Sequence, residues 1–72
     1  MNLKQALTSA VSQLAEKQVP SPRMNAELLL MFVLARARAY LYAHPELQLT
    51  AEEYSRYNVA LAERERGVPA QY

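Results

Sequence analysis

The residues able to do acid–base or metal chemistry are few. There is one histidine, His44, and the carboxylates are Glu16, Glu27, Glu46, Glu52, Glu53, Glu63 and Glu65. No glutamate stands three or four positions from His44, so no helix face presents the paired ligands of a metal site. His44 precedes Pro45, which biases it toward extended backbone. A histidine there is expected to be a cap or a solvated surface residue rather than a proton carrier. Glu52 and Glu53 fall in the first turn of an expected helix, where the dipole favours negative charge. The alternating run Glu63-Arg64-Glu65-Arg66 is expected to be a solvated helix end, with the arginines near the negative pole. Gly67 is the only glycine, which excludes a glycine-rich phosphate loop in this stretch. There is no cysteine and therefore no disulfide or thiolate metal site. No catalytic, cofactor-binding or metal-binding residue is assigned.

Residues suited to binding are more numerous. Arg36 and Arg38 bracket a joint, where guanidinium groups cap helix carbonyls, hold a protein carboxylate or bind phosphate. Tyr40, Tyr42, Tyr54, Tyr57 and Tyr72 near arginines have the chemistry to stack nucleic-acid bases. Helical tyrosines more often bury the ring and leave the hydroxyl wet. The formal net charge of +1 gives no bulk attraction to nucleic acid or to a membrane.

The elements that position these residues follow from composition and periodicity. In 72 residues there is room for one domain, and 51% of them are apolar, with Ala and Leu dominant and no Ile. That composition favours helix over sheet. Leu3, Leu7, Ala10, Val11 and Leu14 form a helical stripe, predicting a first helix over 3–17, with Asn2 and Gln5 as a capping box. Pro20 stops it. Ser21 as N-cap and Pro22 as first helical residue start a second helix over 22–36. Residues 28–34 are apolar on every face, and such a helix must be surrounded by protein or lipid. The run is far too short to span a bilayer, so it is expected to be the enclosed central helix. A short helix over 39–43 should point Leu41 inward. Leu47 and Leu49 should tuck back from the loop that follows. Thr50 and Glu53 form a second capping box and open a helix over 51–66, with Tyr54, Tyr57 and Leu61 on one face. Gly67 is expected in the left-handed position, with Pro69 blocking continuation. The expected fold is all-α: a small bundle of three long helices plus a short one, forming a single domain over 1–72.

Four segments in order resemble the N-terminal domain of the HemK/PrmC family, the peptide chain release factor glutamine methyltransferases. Arg23-Met24-Asn25-Ala26-Glu27-Leu28-Leu29-Leu30 resembles the family's Arg-x-Asp-Ala-Glu-x-Leu-Leu. Ala35-Arg36-Ala37-Arg38 stands where the family has a Gly-x-x-Arg joint. Tyr40-Leu41-Tyr42-Ala43-His44-Pro45-Glu46 is close to its short third helix. Arg64-Glu65-Arg66-Gly67-Val68-Pro69-Ala70-Gln71-Tyr72 resembles its closing Arg-x-x-Gly-x-Pro-x-x-Tyr. Asn25, Ala35 and Glu63 depart from the family's acid, glycine and arginine. Asn25 keeps hydrogen bonding but loses any ion pair made by that acid.

The resemblance implies that this chain is truncated at Tyr72, before a connecting hairpin and a C-terminal methyltransferase domain. That missing domain would be its first partner. The full enzyme would methylate the glutamine of a Gly-Gly-Gln motif in release factors with S-adenosylmethionine. The family's Asn-Pro-Pro-Tyr motif and glycine-rich cofactor loop have no match here. This chain alone is therefore expected to lack catalysis and cofactor, and to be a cytoplasmic monomer. Its expected role is to dock the release factor, with Arg23, Arg36, Arg38 and Arg64 as candidate contacts. A free-standing nucleic-acid-binding or protein-interaction module is the alternative. The near-neutral charge and the lack of a basic stripe stand against nucleic acid.

Overall fold

The helix-forming composition yields four helices in the computed structural model, which describes residues 1–67: α1 (Leu3–Glu16), α2 (Pro22–Leu34), α3 (Arg38–Ala43) and α4 (Ala51–Glu65). The all-α class and the expected element order are found. Expectations resting on Pro69 and Tyr72 lie outside the described residues.

The start of α1 shows how the chain satisfies its orphan donors. The first four backbone N–H groups of any helix lack intrahelical acceptors. Here Leu3 donates to the Leu47 carbonyl at 2.8 Å and Lys4 to that of Pro45 at 3.0 Å. Gln5 donates to Asn2 Oδ1 at 2.8 Å, and Ala6, whose N–H reaches the Asn2 carbonyl at 2.9 Å, makes the first intrahelical bond. Gln5 Oε1 accepts from the Asn2 backbone in return, closing the expected box. The loop before α4 is thereby clamped to α1, through a bridge between Asn2 and Gln48, and Leu49 is buried. At α4, Thr50 and Glu53 form the second capping box.

Helix ends explain the one- or two-residue differences from the expected spans. After α1, Gln18 adopts φ 60 and the amides of Gln18 and Val19 turn back to the Ala15 and Leu14 carbonyls, each at 3.0 Å. This is a Schellman motif, and Val19 and Leu14 are both buried, as its hydrophobic contact requires. After α2, Ala35 adopts φ 56, and Arg36 N–H reaches the Met31 carbonyl at 3.1 Å. Arg36 therefore lies outside α2, and α3 opens one residue earlier than expected, at Arg38. Gly67 takes φ 90 after α4, as anticipated.

A left-handed alanine costs roughly 1–2 kcal/mol, because Cβ crowds the carbonyl. Glycine gives back part of that gain through its more mobile unfolded chain, about 0.4–1 kcal/mol. Ala35→Gly is expected to stabilise the domain by roughly 0.5–1 kcal/mol, measured as a rise of a few degrees in thermal unfolding. A lower melting temperature would contradict the left-handed assignment.

Ser21 does not cap α2 as expected. It occupies the N-cap position but with φ 49 and ψ 59, and its side chain makes no cap hydrogen bond. A capping hydroxyl reaches forward from extended backbone, which left-handed geometry denies it.

The core gathers Leu3, Leu7 and Leu14 of α1, Leu29 and Leu30 of α2, Leu41 of α3, and Tyr57 and Leu61 of α4. Among the described residues Tyr57 is the largest fully buried side chain, and its hydroxyl donates to the Ala26 carbonyl at 2.8 Å. The expectation that residues 28–34 are enclosed on all sides is wrong. Helix α2 packs against the other three helices on one broad face, through Ala26, Leu29, Leu30 and Val33. Its opposite face is open: Met24 is 55% exposed, Leu28 37% and Phe32 48%. Three neighbours cannot cover a full helix circumference in a chain this short, because small domains bury a low fraction of their surface.

Candidate functional site

Helix α2 carries the motif residues, and its two edges hold the polar groups. On the edge facing α3, Glu27 is only 4% exposed. A buried carboxylate survives only if it is paired and hydrogen-bonded. Arg23, one turn earlier, places Nε 3.3 Å from Oε2, and Arg38 of α3 places Nε 3.1 Å from Oε1. The Tyr42 hydroxyl donates to Oε2 at 2.6 Å. That hydrogen bond holds the Tyr42 phenol above its ordinary value of 10.0, with desolvation and the charge of Glu27 adding to it. The four side chains brace α3 against α2.

On the opposite edge, Asn25 is buried and uses both ends of its amide. Nδ2 donates to the Pro20 carbonyl at 2.7 Å and to that of Ser21 at 3.1 Å. Oδ1 accepts from Arg64 Nε at 2.8 Å. The contact between this position and α4 is thus a hydrogen bond from a charged guanidinium to an uncharged amide. An aspartate would turn an acceptor toward two carbonyls, so the amide suits this site. Gln13 of α1 donates to Glu65, which joins the far end of α4 to α1.

The remaining candidate arginine, Arg36, lies over the Tyr40 ring at 4.8 Å. Tyr40 stacks in turn on His44, with centroids 4.1 Å apart. His44 caps α3, its backbone N–H reaching the Tyr40 carbonyl at 3.0 Å.

The four arginines singled out from sequence are therefore not brought together. Arg23 and Arg38 meet at Glu27, Arg64 lies on the far edge of α2 at Asn25, and Arg36 belongs to the α3 column. Sequence reasoning missed the hub itself. The signal was the isolated Glu27 inside an apolar run, with Arg23 at the i,i+4 spacing of a helical ion pair. Among the described residues, no group of three or more His, Asp or Glu side chains is placed to hold a metal ion. No helix among them is long and apolar enough to cross a membrane.

The chain is by class a small all-α domain whose polar side chains brace its own helices and whose second helix shows an apolar outer face. Comparison with known sequences sharpens this. The PrmC N-terminal domain profile matches residues 5–72. A release factor glutamine methyltransferase of Koribacter versatilis is 56% identical over 72 residues, all of this chain and 26% of that protein. Proteins with the same description from Chlorobaculum tepidum and Escherichia coli are 41% and 38% identical, over 92% and 96% of this chain and 22% and 24% of theirs. The chain belongs to the PrmC N-terminal domain family, and it spans about a quarter of the length of these relatives. No solved structure gives a significant match.

Proposed function

We propose that this domain docks a peptide chain release factor for a glutamine methyltransferase, as part of a longer cytoplasmic enzyme that uses S-adenosylmethionine. The observation that supports this reading most is the family match across residues 5–72, with relatives whose names give both substrate and reaction. The chemistry of the described residues agrees. Each of their buried side-chain polar atoms has a hydrogen-bond partner within the domain. A rigid lobe of this kind can orient a large substrate without touching the reacting atoms. It works as one copy per enzyme. Arg23, Arg36, Arg38 and Arg64 remain the proposed polar contacts; the first three are exposed and Arg64 is half-buried.

The test is a hybrid in which this chain replaces the matching segment of the Koribacter versatilis enzyme. The hybrid should bind release factor with the affinity of the parent, and deletion of the lobe should weaken binding at least tenfold. Equal binding with and without the lobe would overturn the reading.

A further inference from the structure

We propose that the open face of α2 is the docking surface, and that it takes an amphipathic helix with acidic edges. The inference rests on the docking reading, since the helix sought is one on the protein substrate. Met24, Leu28 and Phe32 follow one another at i, i+4 and i+8 and form a ridge on the outer side of α2. At 1.5 Å per residue that ridge is roughly 12 Å long. Met31, partly buried, widens it. Along one flank of the ridge runs a shallow groove lined by Phe32, Val33, Arg56, Val59 and Glu63, in which Val59 is 58% exposed. An apolar ridge beside a parallel groove is the relief into which a partner helix packs. No strand among the described residues offers an edge for an extended peptide. The methionines add a soft, adaptable contact surface.

Charge fixes the partner's chemistry. One flank of the ridge holds Arg23, Arg38 and Glu27, and the other holds Arg56, Arg64 and Glu63. Four arginines thus frame the ridge against two glutamates. The rest of the chain has the opposite bias, with four cations and five carboxylates. An apolar centre with a basic rim is complementary to a helix bearing leucine- or methionine-like residues on one face and carboxylates beside them.

The experiment uses the hybrid enzyme carrying Leu28→Asp, Arg56→Glu, or Thr8→Asp on the exposed side of α1. Folding of each is checked by thermal unfolding. The substrates are intact release factor and a short peptide containing the target glutamine. Leu28→Asp and Arg56→Glu should each raise KM for intact release factor at least tenfold and leave kcat and peptide methylation unchanged. Thr8→Asp should change nothing. The salt sensitivity of KM should shrink in Arg56→Glu, because a rim charge acts through screened attraction. If deleting the lobe raises KM and the two variants do not, docking stands and this surface is wrong. If deleting the lobe has no effect, the docking reading itself fails. Lower thermal stability of the hybrid with unchanged KM would mean that the enzyme's own chain covers the ridge, and would overturn the proposal. So would a variant that converts a dimer to a monomer, or one that abolishes binding of a duplex RNA probe with KM intact.

Discussion

Tyr57→Ala is expected to remove about 3–5 kcal/mol, the range for deleting a buried aromatic ring. A domain of this length has roughly 4–11 kcal/mol in total, at 0.05–0.15 kcal/mol per residue. The variant should therefore lose from about a quarter to all of the domain's stability, read as a large fall in melting temperature. Two facts make the loss large. The ring is fully buried between α4 and α2, and its hydroxyl holds the Ala26 carbonyl. Tyr57→Phe keeps the ring and loses only that hydrogen bond, which costs about 1 kcal/mol. Circular dichroism during thermal and urea unfolding distinguishes the three proteins, and equal stabilities would contradict the packing described. The same phenol sets an alkaline limit. Burial first, and the charge of Glu27 second, push it well above its ordinary 10.0. Below pH 10 both folded and unfolded chains keep the proton and nothing is lost. Above pH 10 the unfolded chain ionises while the folded chain does not, so stability falls by up to about 1.4 kcal/mol per pH unit. Tyr57→Phe should lack this component, so its deficit against the parent should narrow as pH rises past 10.

Glu27→Ala is the second large effect, with an expected loss of about 2 kcal/mol. Breaking a buried hydrogen-bond and ion-pair network is among the mechanisms behind single-site losses of about 0.5–3 kcal/mol, and Glu27 is the buried member of this one, accepting from the exposed Tyr42 hydroxyl at 2.6 Å. The two arginine contacts add less, because side-chain exposures of 63% for Arg23 and 45% for Arg38 let water screen them. The loss should be local. Helix α3 has six residues, too few to persist without tertiary support, and both Arg38 and Tyr42 lie on it. Amide hydrogen exchange should quicken about 30-fold in α3, the factor equivalent to 2 kcal/mol. Amides in the middle of α1 should change much less. Uniform acceleration across the domain would show that Glu27 supports the whole core rather than the brace.

Much of this was legible in the residue pattern. Both capping boxes, the inward Leu41 and Leu49, the shared face of Tyr57 and Leu61 and the left-handed Gly67 follow from local rules that tertiary contacts did not override, whereas the Tyr57 hydroxyl, expected to stay wet, is buried on the Ala26 carbonyl. The failures have one physical origin, which is that a linear pattern does not say what lies opposite. Residues 28–34 are apolar throughout, but burial depends on how many neighbours surround the helix, and α2 has them on one side only. Ala35 and Ser21 adopt left-handed backbone that their types do not advertise, because packing of the flanking helices demands the turn. Arg38 and Tyr42 gave no hint that they converge on Glu27, since that contact is made only when α3 folds back on α2. The family resemblance came from motif order and was matched by the comparison. It did not locate a docking face, because the motif residues Asn25 and Glu27 turned out to brace the fold.

The most direct test of the lobe's role is a kinetic comparison of the hybrid enzyme with its lobe-deleted form, on intact release factor and on a short glutamine-containing peptide. A lobe that binds substrate but holds no reacting group changes KM for the intact protein and leaves kcat at saturation the same. Peptide methylation should be equal in both forms. A fall of a hundredfold or more in kcat on the peptide, with KM unchanged, would place part of the chemistry within these 72 residues and contradict the account.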